Sequence, residues 1–231
     1  MSRSKCGRIR FRLEKDMTRI TYISADADPR LAEWLIMNNC NVRSVKTEGI
    51  VAAPLCCHPD MFMCRIGTQI VSMFASPDMT RPDSKYPEDI CYNAACTGRY
   101  FIHNLKHTAP ELLLEAEKAG MTLVNVRQGY TKCSTVIVDE TSVITYDKGI
   151  CKACSAAGMD VLLVTPGHVI LPGYDTGFIG GCSGRIGNTI VFNGDLSLHP
   201  DFDRILEFIG NKGLEVKWFG EWPLTDIGSI I

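Results

Sequence analysis

The sequence predicts an α/β protein assembled from repeated β-β-α-β units. Three observations carry that expectation. A glycine that ends a helix, followed by an apolar residue and a strand, recurs three times. A hairpin with the pattern Arg-Ile-Gly recurs twice, and a third hairpin shares its layout. An apolar helical pattern lies upstream of each glycine.

The helix-ending segments are Lys118-Ala119-Gly120-Met121-Thr122-Leu123-Val124, Ala156-Ala157-Gly158-Met159-Asp160-Val161-Leu162 and Asn211-Lys212-Gly213-Leu214-Glu215-Val216-Lys217. Glycine accepts the left-handed conformation that stops a helix, and the apolar residue after it packs back on the last turn. The Val- and Leu-rich run that follows suits a strand. A weaker fourth copy, Asn39-Cys40-Asn41-Val42, replaces the glycine with Asn, the usual second choice there.

The helices are expected at Pro29–Asn38, Pro110–Ala119, Lys148–Ala157 and Pro200–Gly210. Proline at the first helical position starts three of them, and Asp147 caps the remaining one. Cys64-Arg65-Ile66-Gly67-Thr68-Gln69-Ile70-Val71 aligns with Gly184-Arg185-Ile186-Gly187-Asn188-Thr189-Ile190-Val191, and Thr135–Val138 with Val143–Tyr146 forms the third hairpin. Met73–Arg99 interrupts the pattern with Pro77, Pro82 and Pro87, and reads as a long loop or a degenerate unit.

Net charge is −2, so no overall basic field favours nucleic acid. One local basic run, Arg3 to Lys15, lacks the apolar core of a signal peptide. Residues 1–16 are expected to be a disordered arm, or sequence upstream of a start at Met17, and 17–231 a single domain. The 11 cysteines are an odd number scattered through apolar segments, which reads as reduced thiols in a cytoplasmic protein. No apolar run is long enough to span a membrane.

Repeated β-β-α-β units resemble the pentein fold, a pseudo-symmetric α/β propeller of five units shared by guanidine-modifying enzymes and a ribosome-binding translation factor. Five units in 231 residues would be about 46 residues each, an ordinary repeat length. Cys57-His58-Pro59-Asp60-Met61, Gln128-Gly129-Tyr130-Thr131-Lys132-Cys133-Ser134, Gly177-Phe178-Ile179-Gly180-Gly181 and Leu224-Thr225-Asp226-Ile227-Gly228-Ser229 resemble segments of a bacterial family of uncharacterised activity assigned to that fold. The resemblance implies a hydrolase or transferase of a guanidino or related small cation, or a binding protein that has lost the nucleophile. The enzymes place a nucleophilic cysteine in the last unit. Here the last cysteine is Cys182, and Ser229 stands near the nucleophile's place. A serine hydroxyl needs a base to act in that role.

The candidate catalytic residues are Cys133, His58 and Asp60. Those for substrate binding are Lys132, Asp175, Asp226 and Ser229. Aligning Gln69 with Ser142 puts Asp60 in the repeat position of Cys133, so the two are expected to face one central space. Lys132 would lower the Cys133 pKa if the side chains met, although neighbours on a strand point to opposite faces. His168 follows Pro166-Gly167 as in the enzymes' histidine motif, but Ile170 stands where an acid should follow. Cys151-Lys152-Ala153-Cys154 lacks a second ligand pair of zinc-module spacing, so no metal or cofactor is expected. His199-Pro200-Asp201 falls at a helix start and reads as capping. The glycines of 177–187 suggest close backbone approach.

Overall fold

The computed structural model describes residues 19–231. The basic segment 1–16 and the alternative start at Met17 lie outside them. The described residues form five small sheets and four helices.

Three sheets repeat one plan: an antiparallel hairpin, a helix, and a third strand that returns parallel to the second. For convenience the strands are numbered along the chain. β1 (Arg19–Ser24), α1 (Pro29–Met37) and β2 (Cys40–Val45) come first, then the hairpin β3 (Met63–Ile66) and β4 (Gln69–Ser72). The first full unit is β5 (Ala95–Cys96), β6 (Tyr100–His103), α2 (Pro110–Lys118) and β7 (Thr122–Asn125). The second is β8 (Thr135–Ile137), β9 (Ser142–Thr145), α3 (Lys148–Ala156) and β10 (Asp160–Leu163). The third is β11 (Ser183–Ile186), β12 (Thr189–Phe192), α4 (Phe202–Gly210) and β13 (Glu215–Lys217).

The helix ends follow the sequence closely. Gly120, Gly158 and Gly213 have φ of 69°, 86° and 70°, and Asn39 has 60°. After each glycine the apolar residue's amide reaches back to the last turn: Met121 to Ala116, Met159 to Cys154 and Leu214 to Ile209. This bond satisfies a carbonyl that the helix end would otherwise orphan. At the other end, Asp28 accepts from the Arg30 amide and Asp147 from that of Ile150. The start of α4 differs from expectation. Helix begins at Phe202, not Pro200, because the Asp201 carboxylate turns away to the Thr165 amide and Arg204 instead of capping.

The interrupted region resolves into two parts. The β3–β4 hairpin has no helix or third strand of its own, and a long connection with one short 3-10 turn, Glu88–Ile90, follows it. The end of Met73–Arg99 is a further hairpin start that sequence reasoning missed, because β5 is only two residues long. The β1–β2 pair is parallel and lacks an antiparallel first strand. Residues 229–231 supply it, since Ile231 and Tyr22 exchange both backbone hydrogen bonds, at 2.6 and 3.0 Å.

Packing ties each unit to another. Leu112 and Ala116 of α2 share a core with Met63 and Val71 of the β3–β4 hairpin. Ile150 and Cys154 of α3 pack with Tyr100 and Ile102 of β6. Ile205 and Ile209 of α4 meet Val136 and Ile144, and Leu31 and Leu35 of α1 meet Ile186 and Val191. Every helix thus buries its apolar stripe partly against a sheet other than its own. Neighbouring first strands β3, β5, β8 and β11 also touch in that order. Beside β11, the Ile230 amide bonds the Ser183 carbonyl, and Arg65 of β3 reaches the Ile20 carbonyl of β1.

Close approach explains Gly180 and Gly184, whereas Gly187 has open space around it and takes a φ of 57° in its hairpin turn. A Cβ on Gly184 would lie 2.3 Å from the Ile230 carbonyl oxygen, and one on Gly180 2.3 Å from the Lys132 carbonyl oxygen. Backbone atoms there cannot step aside. Gly184→Ala is therefore expected to destabilise the protein by about 2–3 kcal/mol in urea unfolding. Gly210→Ala, at the end of α4 with open space around it, should be neutral or stabilising by about 0.5–1 kcal/mol. Equal effects of the two substitutions would contradict the close-approach reading.

Candidate functional site

The segments just before the first strands meet at one buried cluster. Asp60 lies in the 3-10 turn Pro59–Met61 ahead of β3. Asn93 precedes β5, Lys132 and Cys133 precede β8, and Gly180 precedes β11. Asp226 and Ser229 come from the segment that pairs with β1. Asp60 and Ser229 are completely buried, and His58, Lys132, Cys133 and Asp226 nearly so.

One oxygen of Asp60 holds the cluster together. Its Oδ2 accepts from Ser229 Oγ at 2.6 Å and from Cys133 Sγ at 3.0 Å. Lys132 Nζ donates to Ser229 Oγ at 2.9 Å and to the Gly180 carbonyl at 3.2 Å. Ser229 therefore stands as a relay between an amine and a carboxylate. Its φ of 71° is a left-handed conformation that a serine adopts only under constraint. Asn93 fixes the turn below: its Oδ1 accepts from the amides of Lys132 and Cys133, and its Nδ2 donates to Cys133 Sγ at 3.2 Å.

Asp226 is held separately. Its two oxygens accept from the Gly228 and Phe178 amides, each at 3.0 Å. His58 Nδ1 lies 3.8 Å from Asp226 Oδ1, and neither that nitrogen nor Asp60 Oδ1 has a hydrogen-bond partner. Two buried polar atoms without partners are costly, and such atoms often mark a site completed by something else.

Burial dominates the electrostatics. It pushes the Asp60 carboxyl up, with Asp226 adding and His58 and Lys132 opposing. It pushes Lys132 down and His58 down. The Cys133 thiol is raised well above its ordinary range by burial and then by the Asp60 and Asp226 carboxylates. The charges of Lys132 and Cys133 interact, but burial outweighs that attraction, and the Lys132 ammonium bonds Ser229 and Gly180 rather than the thiol. The strand-alternation argument also fails, since residues 131–134 form a turn.

The structure thus gathers six of the seven candidates. Asp175 is the exception: it is exposed on the loop between β10 and β11 and makes no hydrogen bond to the cluster. His168 is likewise exposed, edge-on to His199. Asn93 was missed. It stands two residues before β5, as Cys133 stands two before β8, so recognising the β5–β6 hairpin would have drawn attention to it.

His58, Asp60 and Cys133 each offer one ligand atom, and these lie within 4.8 Å of one another. A nitrogen, oxygen and sulfur set of this kind could hold a zinc-like ion once the thiol and carboxyl lost their protons. The ten cysteines among the described residues are free thiols, and Cys151 and Cys154 of α3 belong to no such cluster among them.

Residues 72–231 match a family model described as "Family of unknown function (DUF6873)". The chain belongs to this family. The matched region contains Lys132, Cys133, Asp226 and Ser229, whereas His58 and Asp60 precede it. No curated protein and no solved structure matches the chain. Among the described residues, no helix is long and apolar enough to cross a membrane.

The raised Asp226 pKa gives a signed prediction. Burial holds this carboxyl at about 6, against an ordinary value of 3.8. Between those values the unfolded chain has lost the proton while the folded chain keeps it, so stability falls as pH rises. The stability of wild type minus that of Asp226→Asn should drop by about 2 kcal/mol between roughly pH 4 and 6.5. Urea unfolding across that range measures it, and a flat difference would refute the shift.

Proposed function

We propose that the five sheets form a pentein-like ring and that the buried cluster is its reactive centre, for a hydrolase or transferase acting on a guanidino or related small cation. The observation that carries this reading is the convergence of a thiol, a hydroxyl, an amine, an imidazole and two carboxylates from segments far apart in sequence. Buried ionisable groups with shifted pKa values concentrate at functional sites. The unpartnered Asp60 Oδ1 is an acceptor suited to a planar guanidinium, which donates several N–H groups in a fixed fork.

The roles follow from the geometry. Cys133 is the nucleophile. Asp60, at hydrogen-bond distance from Sγ and more basic than an ordinary carboxylate, takes the thiol proton. A bound cation would supply the positive charge that a buried thiolate otherwise lacks. Sγ would then add to the guanidino carbon and the carbon–nitrogen bond to the leaving amine would break, the proton taken by Asp60 passing by way of His58 to that amine; water (hydrolase) or an acceptor amine (transferase) would release the group from sulfur. Ser229 holds the same Asp60 oxygen as Cys133, and Lys132 holds Ser229.

A second reading has its own support. The thiol is enclosed and protonated, which fits a non-catalytic member that binds a small molecule or a protein. A thermal-shift series with arginine, agmatine, methylated arginines and small amidines separates the two. A ligand at about 100 times its Kd stabilises by about 2.7 kcal/mol, and Asp60→Asn should abolish the shift. Product release by wild type, lost by at least about a hundredfold in Cys133→Ala, supports the enzyme. A shift without product supports the binder. No shift with any compound sinks the guanidino reading.

A further inference from the structure

The same first strands that carry the cluster at their beginnings carry a different environment at their ends. A cavity of about 310 Å³ lies there, lined by the hairpin turns of β3–β4, β5–β6, β8–β9 and β11–β12, and by residues 19, 230 and 231. This volume suits a small metabolite and no macromolecule.

Its charge is one-sided. Arg19, Arg65 and Arg185 line it, and Asp139 is the single acidic side chain; Lys132 also lines it, with its Nζ turned to Ser229 and Gly180. Asp139 is tied to its own turn, accepting from the amide and hydroxyl of Thr141. Among the described residues none of the three arginines has a carboxylate within salt-bridge distance.

The guanidiniums are held in place by backbone carbonyls. Arg65 donates to Ile20, and Arg185 to Gly187 and Val138. These bonds fix the forks without neutralising them. The Nε atoms of Arg19 and Arg65 are buried and have no partner. Burial and then the neighbouring Arg19 depress Arg65 to about 10, a sign of cations forced together. Arg65 and Arg185 also share one place in the repeat, opposite Ile70 and Ile190 in their hairpins. The repeat therefore presents the same cation twice to the same space.

We propose that this cavity is a binding site for a small polyanion carrying phosphate or carboxylate groups. Guanidinium forks match both groups in bidentate geometry, and several of them together favour more than one negative charge. The proposal does not rest on the guanidino reading, since the cavity would repel a cationic ligand. It is lined mainly by the far ends of the strands and shares Lys132 with the cluster.

The test is isothermal titration of the full chain with inorganic pyrophosphate and with citrate, at low and at high salt. Binding of either with Kd below about 1 mM, weakening as salt rises, is expected. Pyrophosphate alone would assign phosphate chemistry, citrate alone carboxylate chemistry, and both a general polyanion site. Arg65→Gln with Arg185→Gln should weaken binding at least about tenfold in a protein that still folds, with loss of the bonds to Ile20 and Val138 offset in part by removal of like charges. Arg65→Lys should retain charge and lose part of the affinity. Absence of binding to wild type overturns the site, as does unchanged affinity in a folded double variant. If the double variant does not fold, Arg65→Lys decides: full affinity there counts against the fork.

Discussion

The Asp60 carboxylate is the constraint on which the centre of the molecule depends. A completely buried carboxylate is tolerated only with donors around it. Its donors come from residues 133 and 229, so the group ties together parts of the chain 73 and 169 positions away. The Asp60 amide adds a bond to the Gly228 carbonyl. Removing any one partner would strand a buried polar atom, a larger loss than the bond itself contributes. The cluster therefore acts as a clasp as well as a candidate reactive centre.

The clasp is possible because the surrounding backbone comes so close. Gly228 lies where a Cβ would be 2.2 Å from the Cβ of His58, and Gly181 where one would strike the Asp226 carboxylate. These glycines let the last segment slide beside the 3-10 turn that carries Asp60. Ser229 then takes a left-handed φ and delivers its hydroxyl between Lys132 and Asp60. Packing of each helix across two sheets supplies the stiffness that keeps this arrangement from relaxing.

The repeat made much of this legible in the sequence. Helix ends at Gly120, Gly158 and Gly213 are local events, fixed by a residue's conformational freedom, and they were readable. The meeting of Asp60 and Cys133 was readable too, because aligned repeat positions face a shared space. What failed was whatever depended on one short element or on a side chain's direction. β5 spans two residues and gives no periodicity, which hid both its hairpin and Asn93. Lys132 and Cys133 were judged by strand geometry and lie in a turn. Asp175 shares the Asp and Gly composition of ordinary loops, and composition cannot separate a loop that reaches the centre from one that does not. The start of α4 depended on a tertiary partner, Thr165, that no local pattern announces.

The two ends of the first strands differ in a way that bears on what the molecule can do. At one end the acids and a thiol are enclosed and biased toward their neutral forms. At the other, guanidiniums stay charged because burial there is partial and guanidinium is hard to deprotonate. Lys132 belongs to both: its ammonium bonds Ser229 and Gly180 in the cluster, while the residue lines the arginine cavity. An anion held by the arginines would favour the charged form of Lys132, and a charged Lys132 in turn favours an ionised Asp60 through Ser229. An anion in the cavity would therefore bias the buried cluster away from its neutral state. The sequence repeats Arg-Ile-Gly at one end of the strands and gathers unlike residues at the other, as a scaffold would if one end recognised charge and the other used it.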